Sequence, residues 1–308
     1  MDGKKFLFRY FRKSAATVIR ESYKKITTKE FFMNRPMLLS MSGWYSSSKN
    51  SCKNDIQRHI NNDIFLEGIT PISAIVPHAG WYFCGNLAVN TIRLMKEKNG
   101  DIAHIFIFGG HLGEMNLPVV ETFDFAETPF GTLENNKEIL AFVLENFNIH
   151  PLPYYEDNTI EILLPIIKYF FGNPTITAIY LPPNRKAREI VEKLYEKFNY
   201  RAIFIGSTDL THYGPRYNFY HRDKSMKGID WVRNVNDKKY IDLLLDLQGE
   251  ESLKYALENN SACSAGAAFA SIVAAQKKNA SKGQLIGYST SYDVSEDSSF
   301  VGYTGIIY

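Results

Sequence analysis

The sequence predicts an α/β protein, most simply a three-layer α/β/α sandwich around a mixed, largely parallel sheet. Two observations lead to this prediction. Short all-apolar runs, such as residues 72–76 and 105–108, lack the alternation of a half-exposed strand and are typical of strands buried on both faces. Between such runs lie longer segments with apolar residues at helical spacing, such as residues 187–198, which would supply the crossover connections.

Strands and helices alternate along the chain in this interpretation. Strands are expected at residues 72–76, 105–108, 176–181, 202–205, 285–288 and 299–307. Helices are expected at residues 86–98, 137–147, 187–198, 241–247, 253–257 and 266–275. Pro77, Gly109 and Pro182 each end a predicted strand, and Gly100 ends the first helix, as these residue types commonly do.

Composition is that of an ordinary globular chain: 308 residues, 45% apolar and 22% charged. It excludes collagen-like and mainly disordered classes. No stretch of about 18 apolar residues is present, so no transmembrane helix is expected. Three cysteines are too few for a disulfide framework, which favours a reducing compartment and predicts a cytoplasmic protein.

Charge is unevenly distributed. Residues 1–35 hold ten Lys/Arg against three Asp/Glu, whereas the remaining residues hold 25 against 30. We therefore predict a basic N-terminal arm, residues 1–34, and a single α/β domain, residues 35–308. The basic aromatic arm is compatible with weak contact to an anionic membrane surface, and equally with docking on its own acidic body or on a second subunit. The acidic body argues against nucleic acid as the main ligand.

Chemically useful residues follow three predicted strands. His78 and His111 each stand directly after a strand, and residues 206–214 carry Asp209 and His212 after another. Cys263 precedes a helix of small residues. Because ligands collect at the carboxyl ends of strands in α/β sheets, these side chains are expected at one metal or acid–base site. The other four histidines are expected in solvated positions: His59, His104, His150 and His221.

Six motifs stand in a characteristic order. They are Ser-Gly-Trp-Tyr at 42–45, Pro-His-Ala-Gly-Trp-Tyr-Phe-Cys-Gly at 77–85, Glu-Thr-Pro-Phe-Gly at 127–131, Ser-Thr-Asp-Leu-Thr-His-Tyr-Gly at 207–214, Cys263, and Phe-Val-Gly-Tyr at 300–303. In this order they resemble the Memo family, also called AmmeMemoRadiSam system protein B. The resemblance runs from residue 35 to the C-terminus, and it implies the LigB-like fold of class III extradiol dioxygenases.

The resemblance also implies a metal centre built from His78, His111 and Cys263, with Asp209 and His212 beside it. Two imidazoles and a thiolate suit Fe, Cu or Zn and not Mg or Ca. The expected metal is Fe or Cu before Zn. His212 is the candidate general base because the ordinary imidazole pKa lies near neutrality. Asp209 would orient an imidazole or join the metal ligands.

Two departures from the family pattern keep two functions open. The sequence has Gly109-Gly110-His111 where the family usually has Gly-Pro-Ser-His-His, and Asn158 where it tends to have His. One expectation is a metal-dependent oxidoreductase of unknown substrate, acting on a small molecule. The alternative is a non-catalytic module that binds a peptide or protein partner in the same pocket. The family name adds AMMECR-type and radical-SAM proteins as expected partners.

Overall fold

The computed structural model describes residues 33–222 and 225–308. Within them the strands are β1 (Asn34–Arg35), β2 (Ser73–Val76), β3 (His104–Gly109), β4 (Val119–Glu121), β5 (Phe125–Thr128), β6 (Gly131–Glu134), β7 (His150–Leu152), β8 (Thr175–Tyr180), β9 (Ala202–Ser207), β10 (His212–Tyr213), β11 (Gln284–Thr290) and β12 (Phe300–Ile307).

The helices of the same residues vary from one turn to five turns in length. They are α1 (Leu38–Met41), α2 (Lys49–His59), α3 (Trp81–Asn99), α4 (Lys137–Asn146), α5 (Asn158–Glu161), α6 (Leu164–Phe171), α7 (Arg185–Phe198), α8 (Gly228–Trp231), α9 (Asp237–Leu245), α10 (Gly249–Asn259), α11 (Ala265–Lys277) and α12 (Ser291–Val294). A 3₁₀ turn spans Pro215–Tyr217, and a π-helical turn spans Val232–Asn236. No helix among the described residues is long and apolar enough to cross a membrane.

The central sheet is mixed and has a parallel middle. Its strand order is β10-β12-β2-β9-β3-β8-β4-β7, with β11 paired to β12. The neighbours β2, β9, β3 and β8 run parallel, whereas β12 runs antiparallel to all of its neighbours, and β4 runs antiparallel to β8 but parallel to β7. A small second sheet joins β1, β5 and β6. The parallel middle places the carboxyl ends of four strands at one edge, which is where ligands are expected to bind.

Helices cover both faces of this sheet. Successive residues of β2 point to opposite faces, so that Ala74 and Val76 pack in the core that contains α3 and α6, and Ile75 packs with α9, α10 and α11. On the latter face Phe204 of β9 stacks on Tyr195 of α7. The predicted three-layer α/β/α architecture is therefore confirmed.

Helix α11 lies unusually close to the sheet. A Cβ on Gly206 would stand 2.2 Å from the carbonyl oxygen of Ala267, and a Cβ on Gly266 would stand 2.4 Å from that of Leu181. Residues 265–275 are all buried, which their small side chains permit. This close packing brings Cys263, two residues before the first residue of the helix, to the carboxyl ends of the parallel strands.

Two expectations need correction. Helix α3 begins at Trp81 and not at residue 86, because Gly85 does not interrupt it: the missing side chain leaves room for the ring of His59. His104, expected in a solvated position, is buried, because its ring bonds Thr175 Oγ1 and packs edge-on against Phe106. The predicted arm lies outside the described residues except for residues 33 and 34, and it stays a prediction.

Candidate metal centre

His78, His111 and Cys263 converge at the carboxyl edge of the sheet. His78 follows β2, His111 follows β3, and Cys263 precedes α11. One potential ligand atom from each residue lies within 4.8 Å of the other two. Nε2 of His78 is 3.2 Å from Sγ of Cys263, and the two imidazole rings meet edge to face with centroids 5.2 Å apart. The structure thus brings together the three residues that the resemblance suggested as ligands.

A chain of two hydrogen bonds fixes the ring of His78. Ser207 donates its hydroxyl proton to the carbonyl of Thr159, so its oxygen is left to accept from Nδ1–H of His78, at 3.1 Å. This arrangement assigns the proton to Nδ1 and leaves the lone pair on Nε2, which faces Cys263. An imidazole held in this way is prepared to bind a metal.

His111 is held in the same manner by a carboxylate. Its Nδ1 lies 2.9 Å from Oδ2 of Asp157, which also accepts the backbone N–H of His111. Burial lowers the pKa of His111, but the bonds to Asp157 and the nearby Cys263 thiolate outweigh it and raise the pKa to about 10. The side chain of His111 is 41% exposed, so the centre is open to solvent on this side.

The surroundings of Cys263 stabilise its thiolate form. Burial raises the pKa of its thiol, but the charges and hydrogen bonds of His78 and His111 outweigh burial and hold the pKa well below its ordinary value. The backbone N–H of Asp209 donates to Sγ at 3.3 Å, and the N–H of Cys263 donates to the carbonyl of Asp209 at 3.2 Å. A thiolate is the form of cysteine that binds metals.

Asp209 lies beside His78, on the side of the ring that carries Nε2. Its Oδ1 accepts the backbone N–H of His78 at 2.7 Å, and its Oδ2 is 3.8 Å from Nε2 of the same ring. Burial raises the pKa of Asp209, while the neighbouring His78 lowers it. In turn, Asp209 and Cys263 outweigh the effect of burial on His78 and raise the pKa of that ring to about 8.

His212 stands at the start of β10, on the same edge of the sheet. Its Nδ1 donates to the carbonyl of Leu210 at 3.1 Å, which leaves Nε2 as the nitrogen with a free lone pair. The ring packs edge-on against Tyr217, with centroids 4.8 Å apart. Its positive charge, when it is protonated, lowers the pKa of both Asp209 and Cys263. Both predicted acid–base residues therefore lie beside the cluster, and their catalytic roles stay predictions.

Sequence reasoning missed the residues that hold the ligands in place. Ser207 lies inside the motif at 207–214, but no local pattern assigns it a role, and none points to Thr159. Asp157 could have been recognised, because Asp two residues before Thr is a common turn and helix-capping pattern, and its side chain accepts the N–H of Thr159 at 2.9 Å. Asn158, found where the family tends to have His, donates from Nδ2 to the carbonyl of His78 at 3.1 Å.

The donor set fits a transition metal. A tetrahedral ion about 2.3 Å from sulfur and about 2.0 Å from nitrogen holds those two atoms roughly 3.5 Å apart. The observed separation of 3.2 Å between Nε2 of His78 and Sγ of Cys263 is close to this value. Three protein ligands with one open side are also the pattern of catalytic and not of structural sites. Two imidazoles and a thiolate favour Fe, Cu or Zn.

Comparison with known proteins identifies the family of this chain. A family model described as Memo-like protein matches residues 39–307. A MEMO1 family protein of Methanopyrus kandleri is 27% identical over 245 residues, 76% of this chain and 82% of the relative. A MEMO1 family protein of Desulfurococcus amylolyticus is 29% identical over 248 residues, 76% of this chain and 82% of the relative. The chain therefore belongs to the Memo family.

Proposed function

We propose that the protein binds Fe or Cu, before Zn, through Nε2 of His78, Nε2 of His111 and the thiolate of Cys263, and that it is a metal-dependent oxidoreductase. The convergence of these three groups on one solvent-accessible point carries the proposal. Imidazole and thiolate ligands are those that Fe and Cu sites in proteins use for redox chemistry. The substrate would be a small molecule that enters on the exposed side of His111.

The chain prepares the centre and supplies an acid–base group. When bound, Fe or Cu would supply electron transfer and Lewis acidity. Ser207 and Asp157 hold Nδ1–H of the two ligand rings, so that each ring offers Nε2. The N–H of Asp209 stabilises negative charge on Sγ of Cys263. His212 would accept or return a substrate proton at Nε2.

The test is the metal content of the full chain purified without added metal, compared with that of Cys263→Ser. Serine keeps the volume but removes the soft ligand, so affinity for Fe or Cu is expected to fall at least about 10-fold. Cys52→Ser and Cys84→Ser are the matched controls and should keep their metal. Cys84 is the stricter control because it belongs to the same motif as His78 and donates its thiol proton to Ala79.

Two outcomes would contradict the proposal. One is a Cys263→Ser variant that keeps its metal while Cys84→Ser loses it. The other is a wild-type chain that takes up neither Fe nor Cu, which would favour the alternative of a non-catalytic module for a peptide or protein partner. We further propose a reducing, cytoplasmic setting, supported by the free thiols of Cys52, Cys84 and Cys263.

A further inference from the structure

The peptide unit between Leu210 and Thr211 is held on both sides. Its carbonyl oxygen, on Leu210, accepts from Nδ1 of His212 at 3.1 Å. Its N–H, on Thr211, donates to Oδ1 of Asp237 at 3.2 Å. One planar peptide therefore connects a carboxylate to an imidazole through two hydrogen bonds.

Asp237 is a buried carboxylate at the start of α9. It has no solvent exposure, and among the described residues no Lys or Arg forms an ion pair with it. The hydroxyl of Thr211 also donates to Oδ1, and the hydroxyl of Tyr288 donates to Oδ2 at 2.9 Å. Gly302 makes room for this carboxylate, since a Cβ there would stand 2.0 Å from Oδ2. Burying a charge without a cation costs free energy, and perturbed carboxylates of this kind cluster at functional sites.

The helical segment just before Asp237 contains a π-helical turn, next to the contact between Asp237 and Thr211. The π-helical turn Val232–Asn236 ends immediately before Asp237, and π turns occur often at functional sites. Asn236 donates from Nδ2 to Oγ1 of Thr211 at 2.9 Å, while Asp237 accepts from the same residue. Two successive helical side chains thus reach Thr211.

We propose that Asp237 is a positioning residue for His212, acting through the Leu210–Thr211 peptide. The inference rests on the acid–base role proposed above for His212. A carboxylate that accepts the peptide N–H polarises the peptide and makes its carbonyl a stronger acceptor. That carbonyl then holds the proton of His212 on Nδ1 and leaves Nε2 free to take a proton from substrate. Asp237 itself touches neither substrate nor metal.

The tautomer of His212 tests this relay. In the metal-free full chain at about pH 8.5, above the ordinary imidazole pKa, ¹⁵N NMR distinguishes a proton on Nδ1 from one on Nε2. The wild type is expected to show Nδ1–H. Burial raises the pKa of Asp237 to about 7, so the group is ionised at this pH. Asp237→Ala is expected to lower the ratio of Nδ1–H to Nε2–H about 2-fold, because the bond from Nδ1–H to the carbonyl of Leu210 remains and loses only the strengthening of roughly 10–30% that the adjacent bond gives it.

Asp237→Asn keeps an oxygen acceptor without its charge, and it should lower the ratio about 1.5-fold, since a charged acceptor polarises the peptide more strongly than a neutral one. Tyr288→Phe is the matched control: it removes a hydrogen bond to Asp237 but leaves Thr211 untouched, so the ratio should stay that of the wild type. An unchanged ratio in Asp237→Asn overturns the proposal, whether or not Asp237→Ala folds. A change in Tyr288→Phe equal to that in Asp237→Asn also overturns it. The readout needs neither metal nor substrate, so metal analysis of the wild type tests the proposed function separately.

Discussion

Replacing Ser207 with Ala removes one hydroxyl that serves two buried groups. In the wild type this hydroxyl donates to the carbonyl of Thr159 and accepts from Nδ1–H of His78. Ser207 is completely buried and His78 is 1% exposed. The variant therefore leaves a carbonyl oxygen and a ring N–H without their partner, in a place that bulk water does not reach.

The magnitude follows from the two orphaned groups. Each buried polar group without a partner costs about 1–3 kcal/mol, so the free energy of unfolding of the metal-free protein should fall by roughly 2–6 kcal/mol. Metal affinity should fall about 10–100-fold, because the ring of His78 is no longer held with its lone pair on Nε2. The fall in the free energy of unfolding reports on the fold, and the fall in metal affinity reports on the site.

Ser73→Ala separates these effects. Ser73 lies in β2, is also completely buried, and donates its hydroxyl to the carbonyl of Ser271 at 2.8 Å. Its loss should destabilise the protein by about 1–3 kcal/mol and leave metal affinity unchanged. Urea unfolding in the presence of a chelator and calorimetric titration with Co²⁺ measure the two quantities. Equal metal affinities of Ser207→Ala and Ser73→Ala would refute the reasoning.

Two further predictions concern stability. Gly206→Ala would place a Cβ 2.2 Å from the carbonyl oxygen of Ala267. Because one carbonyl cannot move without the rest of the helix backbone, we expect the free energy of unfolding in urea to fall by about 3 kcal/mol or more. An unfolding midpoint equal to that of the wild type would contradict the close packing of α11. Burial raises the pKa of Asp237 from 3.8 to about 7, so the folded state holds this proton more tightly than the unfolded state does. The stability it contributes is complete below its ordinary pKa and is lost as pH rises through about 7. Asp237→Asn should therefore gain stability relative to the wild type as pH rises from about 4 to about 7, and a pH-independent difference would show that the carboxyl is not perturbed.

The positions of His78, His111 and Asp209 at the edge of the sheet could be predicted from sequence because local signals mark the strand ends. Strands β2, β3 and β9 are continuous apolar runs, and proline or glycine follows or ends each of them closely. A residue placed directly after such a run must lie at the carboxyl edge of a parallel sheet. This reasoning needs no knowledge of strand order, which is why His78, His111 and Asp209 were all placed correctly.

The residues that hold the ligands depend on pairing between distant segments, and no local pattern encodes it. Ser207 reaches His78 because β2 and β9 are neighbours, with Val76 opposite Ser207. Strands β4 and β7 have three residues each and a proline in β7, so they give no periodic signal. Arg35, at the boundary of the predicted domain, proved to be buried in ion pairs with Glu121 and Glu161, neither of which is near it in sequence.

Residues 157–159 touch every strand end that forms the centre. Asp157 binds His111, Asn158 binds the carbonyl of His78, and Thr159 binds both the hydroxyl of Ser207 and the N–H of Gly110. The loops are therefore coupled: a local opening of this segment would release both imidazoles in one step. In hydrogen-exchange terms the centre should behave as a single cooperative unit, whose amides gain and lose protection together. Cys263 does not share this tie, because its Sγ accepts from the N–H of Asp209. The two imidazoles would therefore loosen together while the thiolate stays in place.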